Sequence, residues 1–235
     1  MRFDYSILVT YWPIVLKGIG FTIAFSALTI VIAPIVGIGV AQARLSRNRL
    51  ARVLAASYIE VGRNLPFMVI LFLFFFGLPA YGIRLPEFVV GLAALSLYAA
   101  AYFAEIIRGA ILSVPKGQME SARAVGMSRL QALRYVVFPQ MMGYFLPPAT
   151  NQAIMVVKES SILSTITVTE LTMAGQIIQG YTYSPIEVFA MVSVAYWVIC
   201  AAVSRSGMKL EAALQPFRRG RAAQVVALAR EADRG

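Results

Sequence analysis

The sequence predicts an all-α polytopic membrane protein with five transmembrane helices. Hydrophobic residues make up 59% of the 235 residues and charged residues only 14%, whereas soluble domains carry about 25% charged residues. Mean hydropathy is +0.73. Runs without Asp, Glu, Lys or Arg cover 18–43, 64–83, 88–104, 135–157 and 188–204. Each reaches the roughly 17–25 residues that a bilayer span needs, and a soluble domain of this size has no room to bury five of them.

The first run is predicted to be a retained helix. Ala41-Gln42-Ala43 resembles a signal-peptidase site, but this charge-free run, 18–43, is 26 residues long. The apolar region of a signal peptide has about 7–15 residues. We therefore expect it to remain as the first span.

The charges of the loops predict the orientation. The loop after the first span is basic and contains no acid, with Arg44, Arg47, Arg49 and Arg52. The loop after the third span and the tail are also basic, whereas the loop after the fourth carries Glu170 and Glu187 and no base. Basic loops stay in the cytoplasm. The N-terminus is therefore predicted outside and the C-terminus inside, and the net charge of +10 is better explained by topology and anionic lipid than by nucleic-acid binding.

Missing residue types exclude several kinds of chemistry. There is no histidine and one cysteine, Cys200, so histidine-based metal sites, histidine triads and an intrachain disulfide are not expected. No Gly-x-x-x-x-Gly-Lys-[Ser/Thr] nucleotide loop is present. Because no nucleophile lies with a base, we expect neither an enzyme, nor a catalytic residue, nor a metal site, nor a cofactor in this chain.

The basic segment at about 113–139 shows internal order. Ser113 is predicted to cap a helix with Pro115 in its first turn, and Gly126 is predicted to stop it. Ser128 and Gln131 match a capping box for a second helix, which Pro139 should end or kink. Leu130, Leu133 and Val137 would form its apolar face. Two short helices joined by a sharp elbow would thus lie on the inner membrane surface, a plain interfacial linker being the alternative.

This segment resembles the EAA loop of permeases of ATP-binding-cassette (ABC) importers. The similarity lies in Glu120-Ser121-Ala122, followed by Gly126 and then by Val136-x-Phe138-Pro139; the family usually has a second alanine in place of Ser121. Further similarity to the branch for polar amino acids (the histidine, glutamate, glutamine, arginine and opine type) lies in four motifs: Tyr102–Ala110, Val114–Gln118, Glu60-x-x-Arg63-Asn64-x-Pro66 and Lys158–Ser161. The resemblance covers about 14–217, which predicts a permease domain over 1–217 and a basic cytoplasmic tail over 218–235.

The resemblance also implies partners and a location. Such permeases are multi-pass proteins of the bacterial inner membrane that work as a pair of identical or related subunits. Two copies of a separate cytoplasmic ATPase bind ATP and Mg, and an extracytoplasmic protein delivers the solute. The residues expected to couple the permease to the ATPase are Pro115, Glu120, Ser121, Ala122, Ala124, Gly126 and Pro139.

A substrate path is predicted where polar residues enter the fourth run. Pro147-Pro148 should break this run, and a helix restarting at Pro148 would place Lys158 and Glu159 near its middle. Charges there are costly, which predicts a cavity or a partner rather than lipid around them. The predicted path contains Asn64, Asn151, Lys158, Glu159, Ser160, Ser161 and Thr165. An amino acid offers an ammonium and a carboxylate to such a pair, although a structural ion pair or a lock between two subunits fits equally well.

Two further charge pairs are predicted to be structural. Glu60 with Arg63, and Glu105 with Arg108, stand three residues apart at the inner ends of the second and third runs, a spacing that brings side chains together on a helix.

Other functions fit the chain less well. A channel or a secondary transporter would often show internal repeats, which are not evident here. A membrane-tethered helix-turn-helix DNA binder would need more room than the apolar flanks of Ala122–Ser128 leave.

Overall fold

The computed structural model describes residues 5–214, and every regular element in that range is helical. The predicted tail over 218–235 lies outside the described residues. The helices are α1 (Tyr5–Thr10), α2 (Trp12–Leu45), α3 (Arg49–Asn64), α4 (Phe67–Ala80), α5 (Glu87–Leu112), α6 (Lys116–Ala124), α7 (Arg129–Ala132), α8 (Phe138–Glu159), α9 (Leu171–Thr182) and α10 (Pro185–Leu214). A π-helical segment, Leu133–Val137, precedes α8, and a 3-10 segment, Ser160–Ile166, follows it.

Three of the described helices, α2, α5 and α10, are each long and apolar enough to cross a bilayer. Two bent pairs also qualify when each is taken as one unit: α3 with α4, bent by 108°, and Arg129–Ile166 with α9, bent by 48°. The all-helical class is confirmed, with three to five candidate spans in the described range. The predicted orientation stays a prediction.

The second charge-free run is not one straight helix. α4 contains 14 residues, about 21 Å of helix, which is short of the ~30 Å hydrocarbon core. The chain turns at Leu65-Pro66, where both residues have extended ψ values of 142° and 137°. A residue before proline is disfavoured in the α region, and this explains the break. The result is a bend of 108° between α3 and α4.

The centre of the fold is α5, packed against α2. Six of its thirteen buried residues are alanine, and the core also contains Phe25, Leu71, Leu95, Phe103 and Leu163. At Gly37 the two helices approach closely: a Cβ atom added there would lie 3.0 Å from both the Ala104 nitrogen and the Phe103 Cβ. Small residues permit such close helix contacts within membranes.

Replacing Gly37 with leucine should therefore destabilise the bundle. Forcing a side chain into a packed site typically costs about 1–3 kcal/mol, because neither backbone can move away without disturbing the core. Thermal unfolding of the purified protein would measure the loss. The matched control is Gly39→Leu, since Gly39 lies two residues further along α2 with no atom within 4 Å of its added Cβ. Equal melting temperatures for the two variants would contradict this packing.

The predicted break at Pro147-Pro148 is wrong. α8 runs without interruption from Phe138 to Glu159 and contains both prolines. Prolines are tolerated within membrane helices because neighbouring helices and local adjustments satisfy the freed backbone groups. Pro139 likewise does not end a helix. It directly follows the π-helical segment Leu133–Val137, which joins α7 to α8 in continuous helical backbone. A π-helical turn is one of the local adjustments that accommodate proline within a membrane helix.

The break in this part of the chain comes later. After the 3-10 segment, Thr167 adopts a left-handed conformation with φ 64°, and α9 then begins at Leu171. Lys158 and Glu159 therefore lie at the C-terminal end of α8, not in the middle of a helix. Glu170, which was predicted in the loop after the fourth span, lies in the short connection between the 3-10 segment and α9. It is fully buried there, and its carboxylate caps α9.

Candidate coupling loop and substrate path

The elbow of the predicted loop is closed by backbone hydrogen bonds at Gly126. This glycine has φ 87°. Its N–H donates to the Arg123 carbonyl (3.1 Å), and the Met127 N–H donates to the Ala122 carbonyl (3.2 Å). These two bonds form a Schellman ending for α6, for which glycine is the favoured residue. The prediction that Gly126 stops the first helix is confirmed.

The second helix begins with the predicted capping box. The Gln131 N–H donates to Ser128 Oγ (3.2 Å), and the Ser128 N–H donates to Gln131 Oε1 (2.8 Å). Two backbone donors that would otherwise be unpaired are thus satisfied. A third bond connects the loop to α8, since the Gln140 amide donates to Gln118 Oε1 (2.8 Å). The loop is therefore held both at its elbow and at its base.

Ser113 does not cap α6, contrary to the prediction. Its hydroxyl donates to the Gly109 carbonyl one turn back (2.8 Å), at the end of α5. Pro115, which was placed in the first turn of α6, instead occupies the capping position before it. A serine hydroxyl can bond the preceding helical turn as readily as it can cap the next helix. Ser113 bonds the preceding turn.

The loop presents an exposed surface of mixed character, which we call the coupling surface. Pro115, Glu120, Ser121, Ala124 and Gly126 are exposed, and Pro139 is half-buried. Ala122 is buried, so it packs within the loop and does not belong to this surface. Large apolar side chains are also exposed, including Val125 (76%) and Leu130 (73%). Exposed apolar groups rimmed by polar residues mark an interaction site.

The predicted path residues lie along the end of α8 and the 3-10 segment. Asn151, Lys158 and Thr165 are exposed, while Glu159 and Ser161 are half-buried. Ser160 is buried and its hydroxyl donates to the Val157 carbonyl (2.8 Å). The hydroxyls of Ser161 and Thr165 also donate to carbonyls three residues back. These hydroxyl groups thus donate their hydrogens to backbone carbonyls, and only their oxygen lone pairs remain available to accept a hydrogen bond.

Lys158 and Glu159 are adjacent but separate. Within the described residues, neither forms an ion pair, and adjacent residues on a helix point about 100° apart. An ion pair within one subunit therefore does not account for these two charges, and an ion pair between two subunits is the remaining structural alternative.

Asn64, the other predicted path residue, lies at the end of α3, where its amide donates to the Glu60 carbonyl (2.8 Å).

The two predicted charge pairs behave differently. Arg108 binds Glu105 through two bonds, Nε to Oε2 (2.9 Å) and a terminal nitrogen to Oε1 (2.5 Å). Glu60 and Arg63 do not form the predicted pair. The Arg63 guanidinium instead lies 5.6 Å from the ring centre of Tyr102 on α5, whose hydroxyl donates to the Arg63 carbonyl (3.3 Å). Packing of α3 on α5 gives the guanidinium an aromatic partner, which spacing along one helix could not reveal.

A buried polar cluster around Glu170 was missed. Glu170 Oε1 accepts from the Met173 N–H (2.8 Å), and Oε2 accepts from both the Thr172 N–H (2.8 Å) and the Tyr196 hydroxyl (2.6 Å). The Thr172 hydroxyl lies 3.0 Å from that of Tyr196. The signal available in the sequence was the helical spacing of Leu171, Ala174 and Ile178 directly after an acidic residue.

A large groove runs between α2, α8 and α10. Its volume is about 1160 Å³, and none of the predicted path residues lines it. The walls are mostly apolar, from Trp12 at one end of α2 to Leu210 near the end of α10. No group of three or more His, Cys, Asp or Glu residues suited to a metal is found in residues 5–214.

Comparison with known proteins places this geometry in a family. Residues 33–214 match the family described as binding-protein-dependent transport system inner membrane component. The chain is 37% identical over 199 residues to a probable amino-acid ABC transporter permease, YckA, of Bacillus subtilis (strain 168), covering 85% of this chain and 88% of that protein. It is 37% identical over 230 residues to the nopaline transport system permease NocM of Agrobacterium fabrum, covering 93% and 95%.

A solved structure agrees with both relatives. The crystal structure of an amino acid ABC transporter with histidines contains a chain with a TM-score of 0.83 and 36% identity, covering 90% of this chain and 99% of that one. The chain therefore belongs to the binding-protein-dependent transport system inner membrane components, and it is a permease subunit of an ABC importer of the bacterial inner membrane.

Proposed function

We propose that this permease subunit passes polar amino acids or related compounds across the inner membrane. The proposal is supported by the names of its relatives, an amino-acid permease and a nopaline permease, and by the similar amino acid transporter. The observation in this chain that supports transport driven by a separate ATPase is the exposed loop, closed at Gly126 and Ser128 and connected to α8 through Gln118. A channel, a secondary transporter and a DNA-binding protein are not favoured, since the family and its relatives are importer permeases.

In this proposal the coupling surface docks on a separate ATP-binding subunit. Val125 and Leu130 enter an apolar cleft of that subunit, and Glu120 pairs with a basic group. Two such subunits bind ATP and Mg, two permease subunits form the pore, and an extracytoplasmic binding protein delivers the solute. Closure of the ATPase around nucleotide then moves the loop, and the bond from Gln140 to Gln118 carries that movement to α8. This is rigid-body coupling between two states.

Five spans are proposed from the same elements. α2, α5 and α10 each form one span, and each of the two bent pairs forms another. The N-terminus lies outside and the C-terminus inside, as the basic loops require. The coupling loop is then cytoplasmic, and residues 1–217 form the permease domain.

The substrate path is proposed along the exposed side of α8 and the 3-10 segment. Lys158 offers a cation to the carboxylate of an amino acid, and Glu159 offers an anion to its ammonium. Asn151 and Thr165 lie on the same exposed side. Ser160, Ser161 and Asn64 contribute acceptors or shape the path, since their own donors bond to the backbone.

Transport by the reconstituted complex tests this function. The permease, its ATPase and its binding protein are placed in liposomes, and uptake of radiolabelled glutamine, histidine, arginine and nopaline is measured with and without ATP. We expect uptake of at least one probe to require both ATP and the binding protein. Uptake that proceeds without ATP, down the concentration gradient, would contradict the proposal and would favour a channel or a secondary transporter.

A further inference from the structure

The bent pair formed by Arg129–Ile166 and α9 is joined by a short connection that is not helical. Residues 167–170 connect the two halves, and Thr167, a β-branched residue, has φ 64°. Such a conformation is rare for side chains branched at Cβ. Three of the four backbone N–H groups of this connection are bonded: Thr167 donates to the Ser164 carbonyl (3.1 Å), Val168 to the Leu163 carbonyl (3.3 Å) and Glu170 to the Val168 carbonyl (2.8 Å). This is the place at which the chain changes direction by 48°.

On the far side of this connection, α9 is fixed to two other helices. The Leu171 N–H donates to Thr22 Oγ1 of α2 (3.1 Å), and a Cβ added to Gly18 of α2 would lie 2.9 Å from both Leu171 Cα and Ala174 Cβ. On the other flank, a Cβ added to Gly175 would lie 2.7 Å from Val192 Cγ2 of α10. The face of α9 that meets these helices is buried at Leu171 and Ile178.

Glu170 lies at the junction of this connection and α9. Its carboxylate is fully buried and accepts two N–H groups of α9 and the hydroxyl of Tyr196 on α10. A buried carboxylate left without these donors would be strongly unfavourable. The Tyr196 hydroxyl is thus the direct side-chain bond from this carboxylate to α10, while the two N–H bonds are internal to α9.

We propose that Glu170, acting through Tyr196, is a positioning residue that fixes α9 to α10, so that residues 167–169 form the hinge about which α8 and the coupling loop move. The inference rests on the proposed coupling to an ATPase. When nucleotide moves the loop, the bend changes at the hinge, and the fixed α9 transmits the movement to α2 and α10. Without the bond to Tyr196, α9 keeps its contacts with α2 but loses this polar connection to α10, so that less of the movement reaches α10.

The test compares two tyrosine variants in the reconstituted complex. Tyr196→Phe removes the bond from α9 to α10 and leaves the cap of α9 intact. Tyr58→Phe is the matched control, because the Tyr58 hydroxyl donates to the Leu97 carbonyl (2.5 Å) and so connects α3 to α5, away from the hinge. Tyr58→Phe loses one bond between helices, whereas Tyr196→Phe loses the bond to Glu170 and the contact with the Thr172 hydroxyl, both of which connect α9 to α10. Both variants should lower the melting temperature. Only Tyr196→Phe should lower the amount of labelled glutamine or other transported probe moved per ATP hydrolysed, by roughly tenfold, as expected for a lost bond to a charged acceptor.

Hydrogen–deuterium exchange tests whether Tyr196 only stabilises the fold or also keeps α9 in place when nucleotide binds. In the wild type, trapping with a non-hydrolysable ATP analogue should alter exchange in the coupling loop and the 3-10 segment but not in 171–182. In Tyr196→Phe, trapping should also raise exchange in 171–182. Glu170→Asp should reproduce this result, because aspartate still caps a helix but is one methylene too short to reach Tyr196.

The outcomes separate this inference from the proposed function. A wild-type complex without ATP-dependent uptake would overturn the coupling proposal and the hinge together. A coupled wild type in which Tyr196→Phe keeps the transport ratio of Tyr58→Phe would overturn the hinge alone. If Tyr196→Phe does not assemble, Glu170→Asp gives the deciding ratio, and an unchanged ratio there would likewise overturn the hinge.

Discussion

Replacing Gly126 with valine is expected to abolish most of the stimulation of ATPase activity by the loaded binding protein, while the permease stays folded and inserted. Gly126 has φ 87°, and no atom lies within 4 Å of a Cβ added there. The effect therefore comes from the backbone and not from a clash. A left-handed conformation costs a side-chain-bearing residue about 1–2 kcal/mol, and a β-branched residue tolerates it least. Opening the Schellman bonds to relieve this strain would displace α7, with a loss of stimulation of roughly 5- to 30-fold.

The matched control is Gly126→Asn. Asparagine accepts left-handed dihedrals with little strain, so this variant should keep most of the stimulation although its side chain is also larger than glycine's. ATPase activity is measured in proteoliposomes with and without loaded binding protein, at equal permease content. Stimulation that is the same in both variants and in the wild type would show that the elbow conformation does not matter for coupling.

Replacing Lys158 with methionine is expected to reduce uptake by roughly ten- to a hundredfold. Methionine keeps most of the length of the side chain but removes the charge, and a hydrogen bond to a charged group contributes about 1.5–3 kcal/mol. Glu159→Gln should reduce uptake similarly, because the ammonium of the solute then loses its anionic partner. The measurement is ATP-dependent uptake of the transported probe, together with the yield of assembled complex.

Lys17→Met is the control for this substitution. Lys17 is also an exposed lysine in an apolar helix, α2, outside the proposed path. Its loss should leave uptake near the wild-type level. If Lys158→Met and Glu159→Gln both transport and assemble normally, neither a substrate role nor a lock between subunits holds. If uptake falls only in proportion to a lower yield of assembled complex, the lock between subunits is the correct explanation.

Helix caps and turn conformations were predictable where they depend only on residues that are close in the sequence. The capping box of Ser128 and Gln131 and the left-handed Gly126 follow from residue type and spacing, and the structure contains both. The helical class followed from the charge-free runs for the same reason, since the length of an apolar run limits what can enter a bilayer.

Features that depend on contacts between helices were not predictable in this way. Pro147-Pro148 suggested a break, but surrounding helices accept prolines within α8. Glu170 was counted only as a charge of the loop after the fourth span, because the donor that accompanies its burial, Tyr196, is 26 residues away in the sequence. Arg63 contacts Tyr102 rather than Glu60, since the packing of α3 on α5 decides the partner. In each case the missing information was which helices lie side by side.

The measurement that tests the central claim most directly is labelling of the coupling surface from each side of the membrane. Leu130, which is 73% exposed, is replaced by cysteine after the single native cysteine, Cys200, is replaced by alanine. An impermeant maleimide should label Leu130→Cys in inside-out vesicles but not in intact cells, and bound ATPase should protect it. Labelling from outside, or labelling in inside-out vesicles at the same rate with and without the ATPase, would contradict the claim that this loop is where the ATPase docks.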